Sequence, residues 1–270
     1  ALIVKATAAD NYMFYRWVEE GTETVISYRH TYSYEGTEDK TLVAEFVEKD
    51  YPIMTRFYVT DLNQQNRYLG SVSYTAGHNT ETLFTCATQE ELPFTEYKKL
   101  HTPQVEGAVI DKTENPIRLE EGVENFSMNF KQYNEDITYN NGYRDIVCEP
   151  EIVWSYQTLY IDWNNDKEFS GENEIYAAVG NNSGDNTFDD PDGNVTEGWD
   201  RTITVPAETA PGTYRMRVVY MGPDPWSNDW PSKVFTEFYN EIRNGIAYDF
   251  EIAISPASGI EGIASGKVYY

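Results

Sequence analysis

The chain has 270 residues, with 20 Lys and Arg against 45 Asp and Glu, giving a formal charge of −25. A field this negative repels phosphate backbones and anionic lipid head groups, which excludes nucleic acid as a partner. Hydrophobic residues at 40% and aromatics at 15%, Tyr foremost, suffice for a sizeable core. No run approaching the roughly 18 apolar residues of a membrane span occurs.

Taken in chain order, the predicted elements are short, alternate with a period of two, and are rich in β-branched and aromatic residues. They include Leu2–Thr7, Met13–Val18, Arg67–Tyr74, Phe126–Phe130 and Thr213–Tyr220, each bounded by Gly, Pro, Asn or Asp. No convincing amphipathic helix interrupts them. Strands at this spacing predict an all-β chain built as an antiparallel β-sandwich or barrel. Residues 1–50 form a compact pattern of about four strands, and Glu48-Lys49-Asp50-Tyr51-Pro52 is a polar hinge. Residues 51–254 carry the remaining strands, including an Asn/Asp/Gly-rich stretch from Gly180 to Asp200 that is too long for a simple hairpin. The Gly, Ser and Ala-rich residues 255–270 are expected to be a linker or tail. The start at Ala1, without Met or a leader, is expected of a mature or trimmed product. Cys86 and Cys148 match no CxxC pattern, and both a disulfide and two buried thiols fit them.

The segment with most chemical content is Leu159-Tyr160-Ile161-Asp162-Trp163-Asn164-Asn165-Asp166-Lys167-Glu168-Phe169. An apolar strand runs into oxygen-bearing side chains at Asp162, Asn164 and Asp166, and D-x-N-x-D on a tight loop directs three hard oxygens toward one point, as calcium requires. The EF-hand template fails, because its Gly at position six is Lys167 and its bidentate Glu at position twelve is Asn173. The alternative is an Asx-rich turn whose side chains bond their own backbone. Glu168, Glu172 and Glu174 either complete a cation shell or solvate the loop. In Arg215-Met216-Arg217, alternation places both arginines on one face and Met216 with Val218 on the other, with the arginines expected to pair with surface acids.

Two resemblances follow from these residues. Val4-Lys5-Ala6-Thr7 through Trp17, with Tyr32-Ser33-Tyr34 and Asp39-Lys40-Thr41-Leu42-Val43-Ala44-Glu45-Phe46, resembles the internalin-type B-repeats of bacterial surface proteins. That likeness implies a small β-grasp-like module. Asp162-Trp163-Asn164-Asn165-Asp166-Lys167-Glu168-Phe169 resembles the "DWN.DG.F" signature of the GEVED domain, a secreted bacterial β-sandwich. Thr202–Val218 is similar to the same family's "tvtvPa.a.pGt.RmRv". The likeness spans about residues 55–254 and implies a secreted or surface-anchored protein of the Bacteroidetes type. The name-giving segment departs from the pattern: Gly245-Ile246-Ala247-Tyr248-Asp249-Phe250 keeps Gly, Asp and an aromatic but lacks both glutamates. If the motif acids join the loop, the resemblance implies a calcium site of Asp162, Asn164, Asp166 and Asp249, poorer by two carboxylates.

Trp226 and Trp230, in Pro223-Asp224-Pro225-Trp226-Ser227-Asn228-Asp229-Trp230-Pro231, and Trp199 are candidate sugar platforms. The competing reading folds them back over one end of the sandwich. The acidic run 185–194 is a solvated loop on this reading, since no ligand spacing organises it. For catalysis little speaks. His30, His78 and His101 are scattered, and neither H-E-x-x-H nor G-x-S-x-G occurs.

Together these observations predict a non-catalytic, extracellular or outer-membrane-associated adhesion or interaction module, expected to be a monomer. Its partner would be an extracellular protein or glycan. The alternatives are a carbohydrate-binding module and an accessory domain of a larger secreted hydrolase.

Overall fold

The computed structural model describes residues 2–9, 12–57, 67–92, 107–140, 143–148, 155–181, 188–189, 195–196, 198–222, 238–243 and 245–257. The N-terminal strands are β1 (Leu2–Lys5), β2 (Tyr12–Glu19), β3 (Val25–Ser27), β4 (Thr31–Tyr34) and β5 (Leu42–Glu48). β1 pairs with β4, and β3, β2 and β5 form a second antiparallel sheet in that order. Trp17 and Val18 are its buried centre, and Phe14 packs between Trp17 and Phe46. The N-terminal residues thus form five strands in two small sheets.

The rest is a sandwich of four strands on eight. The smaller sheet has the order β18-β11-β7-β8, from β7 (Leu69–Ala76), β8 (Asn79–Thr85), β11 (Asn125–Gln132) and β18 (Gly198–Thr204). The larger runs β10-β21-β19-β14-β15-β16-β17, with β9 also on β21. Its members are β9 (Val109–Asp111), β10 (Ile117–Glu120), β14 (Ser155–Asp162), β15 (Ile175–Asn181), β16 (Phe188–Asp189), β17 (Val195–Thr196), β19 (Gly212–Met221) and β21 (Ile246–Ser255). Two short pairs complete the fold: β12 (Ile137–Asn140) with β13 (Asp145–Cys148), and β6 (Thr55–Phe57) with β20 (Glu241–Arg243). The sheets are mainly antiparallel, as expected, but β9 and β10 run parallel to β21 and β6 runs parallel to β20.

Alternation fills the space between the sheets. Val72, Tyr74, Phe126, Met128, Phe130 and Trp199 from one sheet meet Leu159, Ile161, Met216, Val218, Tyr248 and Phe250 from the other. The larger sheet is also covered on its outer face, where Met54, Ala108, Tyr160, Phe169, Val219, Met221, Ile242 and Ala247 form a second cluster. Central strand β14 is consequently buried at every position, the pattern of a strand covered on both faces. Residues 51–57 and 238–243 supply the outer cover, so the hinge is packed onto the sandwich. Of the long segment from Gly180 to Asp200, strands β16, β17 and the start of β18 are described. Most of the acidic run 185–194 and all of 258–270 lie outside the described residues.

Candidate functional site

The Asp-rich loop follows the end of β14 and lies against the hinge. Asp162, at the last position of the strand and fully buried, accepts the Asp166 amide on Oδ1 at 3.2 Å and the Lys167 amide on Oδ2 at 3.0 Å. Asn164 Oδ1 accepts the Asp166 amide at 2.8 Å, and Asp166 Oδ1 accepts the Glu168 amide at 2.8 Å. These are Asx turns stacked head to tail, in which each side chain satisfies a main-chain donor the strand no longer pairs. Asn165 and Lys167 take φ of 58° and 64°, the left-handed region in which Gly is the unstrained residue.

A second carboxylate closes the loop from its far end. Glu174, 1% exposed, accepts the amides of Trp163 at 3.1 Å and Asn164 at 3.3 Å on Oε1, and those of Ser170 at 3.1 Å and Gly171 at 2.6 Å on Oε2. Burial pushes its carboxyl above the ordinary range, while the Gly171 and Asn164 amides act in the opposite sense. Sequence reasoning placed Glu174 among residues that complete a cation shell or solvate the loop. Instead it is the buried staple that makes 162–174 one unit.

The structure brings Asp162, Asn164 and Asp166 together but not Asp249. Asp249, 3% exposed on β21, receives Arg217 Nε at 2.6 Å and Nη2 at 2.8 Å, and Arg215 Nη1 at 2.9 Å. The two arginines do share a face, as their spacing predicted, but they cover no surface acid. Arg217 is 3% exposed and holds a buried carboxylate in bidentate geometry. Burial works against the Arg215 charge, and Asp249 outweighs it, so the net direction is upward.

With Asp249 committed to two arginines, Glu174 to four amides and Glu168 to Lys49 at 2.9 Å, three side chains remain facing one another in the loop. Calcium needs about six to eight oxygen ligands. Among the described residues no group of three or more His, Cys, Asp or Glu is arranged to hold a metal ion. The described residues do not by themselves fit a calcium shell.

What the loop does touch is the hinge. Lys167 Nζ donates to the Lys49 carbonyl at 3.2 Å, Lys49 Nζ pairs with Glu168, and Arg217 Nη1 donates to the Pro52 carbonyl. Tyr51 stacks on Phe169 at 5.5 Å between centroids, with the Arg215 guanidinium 4.6 Å over its ring. Burial, followed by the neighbouring Asp162 carboxylate, raises the Tyr51 hydroxyl pKa and keeps it protonated. Lys167, the residue that departs from the Gly of the resembled pattern, thus supplies one of the links. Sequence reasoning identified the hinge and the loop separately. Nothing in a linear pattern joins positions 118 residues apart.

The aromatic candidates separate. Trp199 is 0% exposed, stacked on Phe130 at 5.5 Å and tilted against Tyr220 at 5.1 Å inside the sandwich. A sugar platform there is corrected to a core residue, because β18 alternation turns position 199 inward opposite Phe130. Trp226 and Trp230 lie outside the described residues. The missing glutamates of the Gly245–Phe250 segment also have a physical account: Ile246 and Tyr248 both point into the main core, where Tyr248 stacks on Phe84 and its hydroxyl accepts the Leu69 amide at 3.2 Å.

An all-β sandwich with a self-capped Asx loop after a central strand defines a class of small β domain. Residues 156–252 match the family model of the GEVED domain. That family consists of non-catalytic β domains that often serve as accessory modules of secreted proteins. The matched span runs from β14 to β21, whereas β7, β8 and β11 of the opposing sheet precede it. No curated protein and no solved structure matches the chain.

Proposed function

We propose that the chain is a non-catalytic interaction module of a secreted or surface-displayed bacterial protein, in which a small N-terminal unit is clamped to a GEVED-type sandwich. The observation that carries this reading is the clamp. Lys167 and Glu168 of the loop after β14, and Arg217 of the arginine cluster beside it, hold residues 49–52, while the remaining donors and acceptors of loop and cluster are spent on one another. A clamped hinge fixes the geometry between two surfaces, which a presenting or adhesive module needs and a domain that closes on a substrate does not. No described helix is long and apolar enough to cross a membrane. The reading is tested by exposing the full chain to immobilised extracellular glycans and peptides, then analysing bound and unbound probe by mass spectrometry. Saturable binding with intact probe is the expected result. Cleavage of any probe would overturn the non-catalytic reading.

A further inference from the structure

We infer that the groove between the N-terminal module and the outer flank of the sandwich takes an extended acidic peptide of a partner protein, added as a strand to the free edge of β3. The inference rests on the interaction-module reading and names the chemistry of its partner. The groove encloses about 1300 Å³. One wall includes the unbroken run Val25 to Thr31, and Pro52, Ile53, Asn240 and Glu241 stand opposite.

Within that run the edge on offer is β3 itself, since the Arg29 and His30 carbonyls already accept Trp17 Nε1 and the Ala6 amide, and Thr31 belongs to β4, which pairs with β1. Among the described residues β3 has β2 on one side and no strand on the other. Such an edge is a ready template for one more strand, with main-chain hydrogen bonds supplying affinity and flanking pockets supplying specificity.

Charge selects the occupant. In a chain with 45 acids and 20 Lys and Arg, the described residues that line the groove include Lys5, Arg29 and His30 against one acid, Glu241. Glu241 is already shared between Arg29 at 3.0 Å and Arg243 at 2.8 Å. A partner bearing carboxylates is attracted here and repelled elsewhere on the molecule, which fixes where it docks. The aromatic rings favour a peptide over a sugar. Tyr15 and Tyr28 pack on each other at a tilt of 59°, and Phe14 is engaged by Trp17 and Phe46, so these rings do not offer flat, open faces for stacking.

The test uses the full chain and a fluorescein-labelled peptide of alternating valine and glutamate, with a valine–lysine peptide and oligogalacturonate as comparison probes. The acidic peptide is expected to bind in a salt-sensitive manner. Its affinity should fall about tenfold or more in the Lys5→Glu/His30→Glu variant, whose altered side chains are exposed and leave the Arg29–Glu241 pair intact, so that a melt matching the parent's is expected. Amide hydrogen exchange of the parent protein provides a measurement without mutation: the peptide should slow exchange across Val25–Tyr28. The proposal is overturned if the lysine peptide binds equally, if the acidic peptide leaves the β3 amides unprotected, or if oligogalacturonate binds the groove and the peptide does not. That last result would leave the interaction-module reading standing, whereas hydrolysis of the peptide would remove both.

Discussion

Gly245 is confined by a close approach that no side chain tolerates. A Cβ built there would lie 2.0 Å from the Tyr220 carbonyl oxygen and 2.5 Å from the Met221 Cα, both main-chain atoms of β19. Gly245→Ala must therefore push β20 and β21 away from their neighbour. It is expected to cost about 3 kcal/mol, measured as a lower urea midpoint at unchanged slope. Lys167 poses the opposite case, a non-Gly residue at φ 64° whose amide is held by Asp162 Oδ2 and whose ammonium reaches the Lys49 carbonyl. Lys167→Gly should relieve about 1 kcal/mol of backbone strain while removing that link. Urea unfolding should show stability unchanged or slightly raised, and amide exchange at Lys49, Asp50 and Tyr51 should quicken. Slower exchange at the hinge would contradict the role given to Lys167. The motif was legible in the sequence as oxygen at alternate positions. Which donors those oxygens meet was not, because Asx turns and cation loops share one spacing.

At the scale of elements, the strands were readable wherever one face is buried and the other wet. Phe126-Ser127-Met128-Asn129-Phe130 sorted onto its two faces as alternation requires, with all three apolar residues buried, whereas in Arg215-Met216-Arg217 the arginine face is covered as well and Arg217 is buried. Strand β14 shows where that reading ends. Its eight buried positions carry Gln157, Thr158 and Asp162 among apolar residues, so neither composition nor period reveals that a second layer covers its outer face. Parallel pairing of β9 and β10 with β21 was equally hidden, since nothing local distinguishes a parallel edge. Trp199 belongs to this scale too, because its burial follows from its register with Phe130 and not from the Gly198 and Asp200 beside it. Trp199→Ala would open a void between the sheets and is expected to destabilise the sandwich by about 3–5 kcal/mol, read by chemical unfolding. A variant of unchanged stability would return Trp199 to the surface and revive its role as a platform.

For the whole molecule, the charge of −25 leaves ordinary electrostatic work to a few buried pairs. Asp162, Glu174 and Asp249 are held by amides or arginines, and each holds a piece of chain in place. The remaining described acids are mostly exposed, which makes that surface self-repelling. Against that background the basic-lined groove at the module seam stands out, and the hinge clamp keeps its two walls in register. The clamp uses protein donors and acceptors throughout, so its strength should not depend on a metal. The most direct measurement is calorimetric melting of the full chain in excess calcium and in EDTA. A ligand bound only by the folded state must raise the midpoint by mass action, so identical melting curves are the predicted result. A midpoint that falls in EDTA and returns on adding calcium would contradict the account and make the Asp162 loop a cation site.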